Sequence, residues 1–90
     1  MSVDVKISSI LTRYTNKQQT AKVTGRTVGE CLENLAEQFP ELRRVLFNKD
    51  GRLQHYIDVY INGESAYPEE LAKPVKDGDN LHLLMVIAGG

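Results

Sequence analysis

The sequence predicts an α+β fold, a mixed sheet of four to five strands with one main helix packed on one face. Three observations lead there. Polar and apolar residues alternate with period two in several short segments, as strands with one buried face require. One stretch, Val28 to Phe39, instead carries apolar residues at three- and four-residue intervals. The last strand-like run, Asn80 to Ile87, is apolar in both phases, which suits a central position in a mixed sheet.

Val3, Val5, Ile7 and Leu11 fall on odd positions with Asp4, Lys6, Ser8 and Thr12 between them, which predicts a first strand. Asn16-Lys17-Gln18-Gln19 is polar and turn-like, and Thr20 to Thr24 is its antiparallel return, ended by Gly25-Arg26. Thr27 followed by Glu30 has the capping-box spacing, in which hydroxyl and carboxylate each satisfy an unpaired backbone N–H. Val28, Leu32, Leu35, Ala36 and Phe39 form the apolar stripe of the helix; Glu33, Asn34, Glu37 and Gln38 supply its wet face. Pro40 stops it, because a residue before proline is biased away from helical angles. Leu42, Val45, Leu46 and Phe47 are expected to tuck against the core in a short irregular or helical piece before the Asn48-Lys49-Asp50-Gly51 turn.

Ile57, Val59 and Ile61 alternate with Asp58 and Tyr60 as a third strand. Asn62-Gly63 favours a tight hairpin turn because both residues tolerate positive φ, and Glu64 to Ala66 pairs briefly after it. Pro68 to Lys76 is loop-rich, Lys76-Asp77-Gly78-Asp79 turns, and Asn80 to Ile87 follows as the last strand. The helix must return the chain to the same sheet, and a right-handed crossover packs it onto one face. This order is that of the ubiquitin-like β-grasp. Residues 1–87 are expected to form that domain, and Ala88, Gly89 and Gly90 a flexible tail.

Ninety residues make one domain, large enough for one core but not for a core plus a deep cleft. Eleven basic residues against twelve acidic ones give a net charge of −1, without the basic excess of a nucleic-acid binder. The single cysteine, Cys31, excludes an internal disulfide; it reads as a small half-buried apolar residue rather than a reactive thiol. The first residues lack a signal-peptide pattern, and the longest apolar run, Leu83 to Ala88, is far too short to span a bilayer. A reduced, soluble, cytoplasmic domain, monomeric on its own, is the expectation. No phosphate-binding glycine loop is present, and neither His55 nor His82 has a second ligand at metal spacing. Glu69-Glu70 beside Pro68 reads as a solvated loop, so no catalytic constellation, metal site or bound cofactor is expected.

The terminal Gly89-Gly90 is different. Two glycines after a strongly apolar strand offer an unhindered carboxylate that can thread a channel too narrow for side chains. Three residues, Ala88 to Gly90, reach about 10 Å when extended. The chain resembles the sulfur-carrier branch of the ubiquitin-like superfamily, which includes the small subunit of molybdopterin synthase and the thiamine-pathway sulfur carrier. The resemblance rests on Ile7-Ser8-Ser9-Ile10-Leu11, Thr27-Val28-Gly29, Val59 to Glu64, Lys76 to Leu81, and Val86-Ile87-Ala88-Gly89-Gly90. The piece between helix and third strand, with Gly51-Arg52-Leu53-Gln54-His55, looks closest to the carrier used in O-phosphoserine-dependent cysteine synthesis.

Such a resemblance implies that the protein is a reagent rather than an enzyme. A ubiquitin-activating-like adenylating enzyme would use ATP to adenylate Gly90, and a persulfide or sulfide would displace AMP to leave a thiocarboxylate. A downstream sulfur-accepting synthase would then take the sulfur. Two other readings stay open: a protein modifier joined through Gly90 to lysines, and a non-covalent β-grasp interaction module. If Leu81, Leu83, Met85 and Ile87 face the helix, Leu84 and Val86 face the other side of the sheet. Tyr60 and Ile10, out of phase with the core residues of their own strands, are expected to join them in a partner-binding patch.

Overall fold

The computed structural model describes residues 2–86. Its strands are β1 (Ser2–Ile7), β2 (Thr20–Thr24), β3 (Ile57–Ile61), β4 (Glu64–Ser65) and β5 (Asn80–Met85); its α-helices are α1 (Val28–Gln38) and the single turn α2 (Arg43–Leu46). Five strands form one sheet in the order β2-β1-β5-β3-β4. β5 is central and runs parallel to β1 and antiparallel to β3; the other pairs are antiparallel. This is the β-grasp arrangement that the alternation and the two-sided apolarity of the last strand predict.

Alternation decides the core. Val3, Val5 and Ile7 of β1, Val23 of β2, Ile57 and Val59 of β3, and Leu81 and Leu83 of β5 are all buried on one face of the sheet. Against them α1 lays Val28, Cys31, Leu32, Leu35 and Ala36, and the segment after it adds Leu42, Val45, Leu46 and Phe47. Cys31 is fully buried rather than half-buried. Burying each leucine contributes about 1.5–3 kcal/mol.

The capping box forms, with one change of partner. Thr27 Oγ1 accepts from the Glu30 N–H at 3.1 Å, while Glu30 Oε1 accepts from the N–H of Arg26, one residue before the cap, at 2.8 Å. Pro40 ends α1 as expected, with Phe39 extended at φ −131° and ψ 84°. Gly29 lies in the first turn, where a Cβ would stand 2.9 Å from the Leu71 carbonyl oxygen. That close approach lets the 3-10 turn Glu70–Ala72 press on the helix.

Two expectations need correction. The first strand does not run on to Leu11: β1 stops at Ile7, and Ser9–Tyr14 is a 3-10 helix. Leu11 is buried all the same, because a helix of three residues per turn places Leu11 and Tyr14 on one side, both against the core. Ile10 therefore lies on that helix and not on a strand. Second, the polar face of α1 is not wholly given to water. Asn34 Oδ1 accepts from the Thr24 N–H at 3.2 Å, and Gln38 Nε2 donates to the Lys22 carbonyl at 2.8 Å. Both backbone groups lie on the free edge of β2, so the helix caps the sheet edge that would otherwise be open to another strand. Ile87, assigned above to the last strand, lies outside the described residues.

Candidate functional site

β5 carries the alternation that separates fold from surface. Leu81 and Leu83 point into the core, whereas His82 and Leu84 are half-buried on the face that no helix covers. Across the ladder His82 stands between Lys6 of β1 and Tyr60 of β3, and Leu84 stands opposite Asp58. Together they line an open groove with Asp4, Lys6, Lys22 and Tyr60. Lys22 Nζ donates to Asp4 Oδ1 at 2.8 Å, and that bond, then the charge of Asp4, pushes the lysine pKa up. Both groups are well exposed, so the pair contributes little to stability.

The structure brings Tyr60 and Leu84 into this groove. Val86 follows two residues later, 48% exposed, with its N–H donating to the Tyr56 carbonyl at 2.7 Å. Ile10 is 40% exposed on the 3-10 helix and does not line the groove. Ala88, Gly89 and Gly90 lie outside the described residues. Four of these groove residues, Asp4, Lys6, Lys22 and His82, are absent from the patch as read from sequence, although each shares the period-two phase of the open face. Tyr67, 73% exposed on the loop after β4, carries no comparable pattern in the sequence.

The beginning of β5 is held by a closed polar network. Asn62 Oδ1 accepts from the Asn80 N–H at 2.9 Å, while Asn62 Nδ2 donates to Asp79 Oδ1 at 3.0 Å. The second Asp79 oxygen accepts from the Lys76 N–H at 2.8 Å. Those bonds, the Lys76 one first, hold the Asp79 carboxyl below its usual range, against the opposing effect of its burial. Asn62 and Gly63 take φ of 50° and 87°, as the tight turn requires. The same turn thus both reverses the chain and pins the next strand.

Elsewhere the chemistry is sparse. Burial pushes the Cys31 thiol up, which keeps it protonated and inert. Among the described residues no three His, Cys, Asp or Glu side chains gather as metal ligands. Such a surface can hold and orient a partner.

A model of the ThiS family matches residues 5–90. The chain belongs to the ThiS family. The sulfur carrier protein CysO of Mycobacterium tuberculosis is 29% identical over 93 residues, spanning the whole of both chains. A chain of the Amycolatopsis orientalis BexX/CysO complex is 31% identical, with a TM-score of 0.87 and coverage of 98% of this chain and 99% of that one. SAMP1 from Haloferax volcanii is also 31% identical at a TM-score of 0.87, with both chains covered in full. Fold and family thus agree with the resemblance read from Thr27-Val28-Gly29, the Asn62-Gly63 hairpin and the Lys76–Asp79 turn.

Proposed function

We propose that this chain is a sulfur carrier protein whose Gly90 is activated by a partner enzyme and converted to a thiocarboxylate. The observation that carries the reading is the ThiS-family match, which runs through residue 90 and includes Gly89-Gly90. A carboxylate is a poor acyl donor because its leaving group would be oxide. Attack of the Gly90 carboxylate on the α-phosphorus of ATP expels pyrophosphate and gives an acyl adenylate with a good leaving group. Hydrosulfide then adds at the acyl carbon and AMP departs, leaving the thiocarboxylate. With a persulfide donor the product is an acyl disulfide, which a second thiol must cleave. The thiocarboxylate sulfur is nucleophilic near neutral pH and passes to an acceptor in biosynthesis of the cysteine or molybdopterin type.

In this reading the chain is a co-substrate, the ATP belongs to an adenylating partner, and a second partner is the sulfur-accepting synthase. No helix among the described residues is long and apolar enough to cross a membrane. We place the carrier in the cytoplasm, where its ATP-dependent partner works. The groove of Tyr60 and Leu84, with Val86 beyond it and Ile10 nearby on the 3-10 helix, serves as the grip for the activating enzyme. Intact-mass spectrometry tests the central claim. Incubation with the activating enzyme of the same organism, ATP and a sulfur donor should raise the mass by the difference between sulfur and oxygen. A mass that stays unchanged under conditions that charge a known carrier sinks the proposal.

The likeness to a small archaeal modifier protein supports a second reading, in which Gly90 forms isopeptide bonds with target lysines. Lysine-linked Gly-Gly remnants recovered after proteolysis of cell extracts would establish that role. If a chain lacking Gly89 and Gly90 instead retained its cellular activity, a purely non-covalent interaction module would be the better description.

A further inference from the structure

Charge on this near-neutral chain is unevenly placed. Between Arg43 and Tyr56 there are four cations and one carboxylate; between Asn62 and Asp79 there are five carboxylates and two lysines. The first segment leads into the end of the sheet where β3 begins and β5 stops, since Ile57 pairs with Met85 and Tyr56 receives the Val86 N–H. The second segment opens at the other end, where Asn62 meets Asn80, and returns there at Asp79. Positive charge therefore gathers where β5 stops.

Arg43, Arg44 and Lys49 line one shallow groove with Glu33, Phe47 and Gln54, and Arg52 stands on the adjoining turn. The frame beneath them is fixed. Asn48 Oδ1 accepts from the N–H groups of Asp50 and Arg52 at 2.8 and 3.1 Å. Gln54 Nε2 donates to the carbonyls of Arg44 and Phe47, both at 3.2 Å. Arg43 is paired with Glu33 at 2.8 Å, whereas Arg44, Lys49 and Arg52 have no ion-pair partner among the described residues. Three exposed, unpaired cations, one on α2 and two on the braced turn after it, are placed to meet negative charge.

We infer that this groove docks an acidic rim on the activating enzyme, beside the opening that receives the C-terminal tail. The inference rests on the carrier reading of the preceding subsection. Gly90 is four residues beyond Val86, a reach of at most about 14 Å. A site receiving Gly90 therefore lies within that reach of Val86, at the end of the sheet into which the cation-bearing segment leads. The opposite, acidic end adds to the effect, because a dipolar molecule approaches an acidic surface with its positive end leading. Nucleic acid fits less well: three free cations release few counterions, and the acidic end repels phosphates.

The test uses the full chain and the activating enzyme of the same organism, with ATP–pyrophosphate exchange measured across a series of salt concentrations. The variant is the triple change Arg44→Glu, Lys49→Glu and Arg52→Glu, with the triple alanine form as its milder counterpart and thermal melting as the check on folding. Charge reversal should raise KM for the carrier by about 10- to 100-fold at low salt, with kcat within twofold. Wild-type KM should climb with salt, that of the alanine form should stay nearly flat, and that of the reversed variant should fall as salt screens its repulsion from the acidic rim. Equal KM and equal salt dependence for folded variants would overturn the docking surface alone, because the wild-type chain is turned over in the same assay. So would an unchanged KM accompanied by lost retention of total tRNA on filters, which would reassign the groove to nucleic acid. If the wild-type chain supported no exchange, the carrier reading would fall and the docking claim with it.

Discussion

At one end of the sheet, where β3 stops and β5 begins, polar groups face one another. The Asn62 amide, the Asp79 carboxylate and the Asn80 N–H bond to one another or to the Lys76 backbone, and Asp79 is only 8% exposed. At the other end, where β3 begins and β5 stops, side chains face outward. Val86 and Ile10 are exposed there, and the Arg43–Arg52 segment sets unpaired cations on a braced turn. A single strand thus starts in a closed network and finishes at an open surface. Inward bonds fix a strand; what is left unsatisfied at its far end is available to another molecule. The difference shows which end of the sheet offers another molecule something to bind.

The largest expected effect comes from the outward end of this comparison. Gly90→Ala adds one methyl group and should leave the melting temperature unchanged. In the proposed mechanism the same methyl would sit beside the acyl carbon, where the enzyme's channel would close on the adenylate. Misplacing reacting groups by about 1 Å costs on the order of 100-fold in rate. Deleting Gly90 withdraws the carboxylate by about 3.5 Å and should nearly abolish ATP–pyrophosphate exchange. Exchange at a comparable rate by the truncated chain would show that Gly90 is not the activated residue.

A smaller effect belongs to the groove. Leu84 stands opposite Asp58, so Leu84→Asp sets two carboxylates across a strand pair and costs up to about 1 kcal/mol in stability. Leu84→Asn removes the apolar contact without that repulsion. Both should raise KM for activation by about tenfold, the cost of losing a well-placed interface contact of about 1.4 kcal/mol. If only the aspartate variant is impaired, charge rather than apolar contact accounts for the loss, and the groove is not an apolar grip.

What the sequence made legible follows from the range of each signal. Alternation in β1, β3 and β5, the Thr27–Glu30 cap, Pro40 and Asn62-Gly63 all act within a few residues, and each element formed where those signals stand. Leu11 misled because an odd-numbered apolar residue fits both a strand and the 3-10 turn that follows Ile7. Asn34 and Gln38 sit on the polar side of α1, and only the position of β2 reveals that they cap its edge. The open-face positions of Tyr60 and Leu84 were legible, because their phases are set by strands. Ile10 was drawn in by a strand that ends before it. The basic groove has no periodicity at all, since its cations come from α2 and a turn and meet only in space.

The smallest expected effect tests the closed end through pH. Asp79 has its folded pKa held below the usual carboxylate value, chiefly by the Lys76 N–H and then by the Asn62 amide. A depressed folded pKa means that its contribution to stability is present in full above the unfolded value of about 3.9. The contribution is lost as pH falls below that value and through the folded pKa, because protonation removes the acceptor charge. Asp79→Asn keeps the shape but gives up the charge-assisted bonds, so its melting temperature at pH 7 should lie below that of the wild type. Lowering the pH below about 4 should narrow the gap, since the wild type then loses the same charge. Activation at pH 7 and at a temperature where both proteins are folded should be nearly equal, because the network lies at the end away from the outward-facing groups. A gap that stays constant down to pH 2 would show that the Asp79 charge does not stabilise the start of β5. Impaired activation by the folded variant would show instead that the two ends are coupled through the strand.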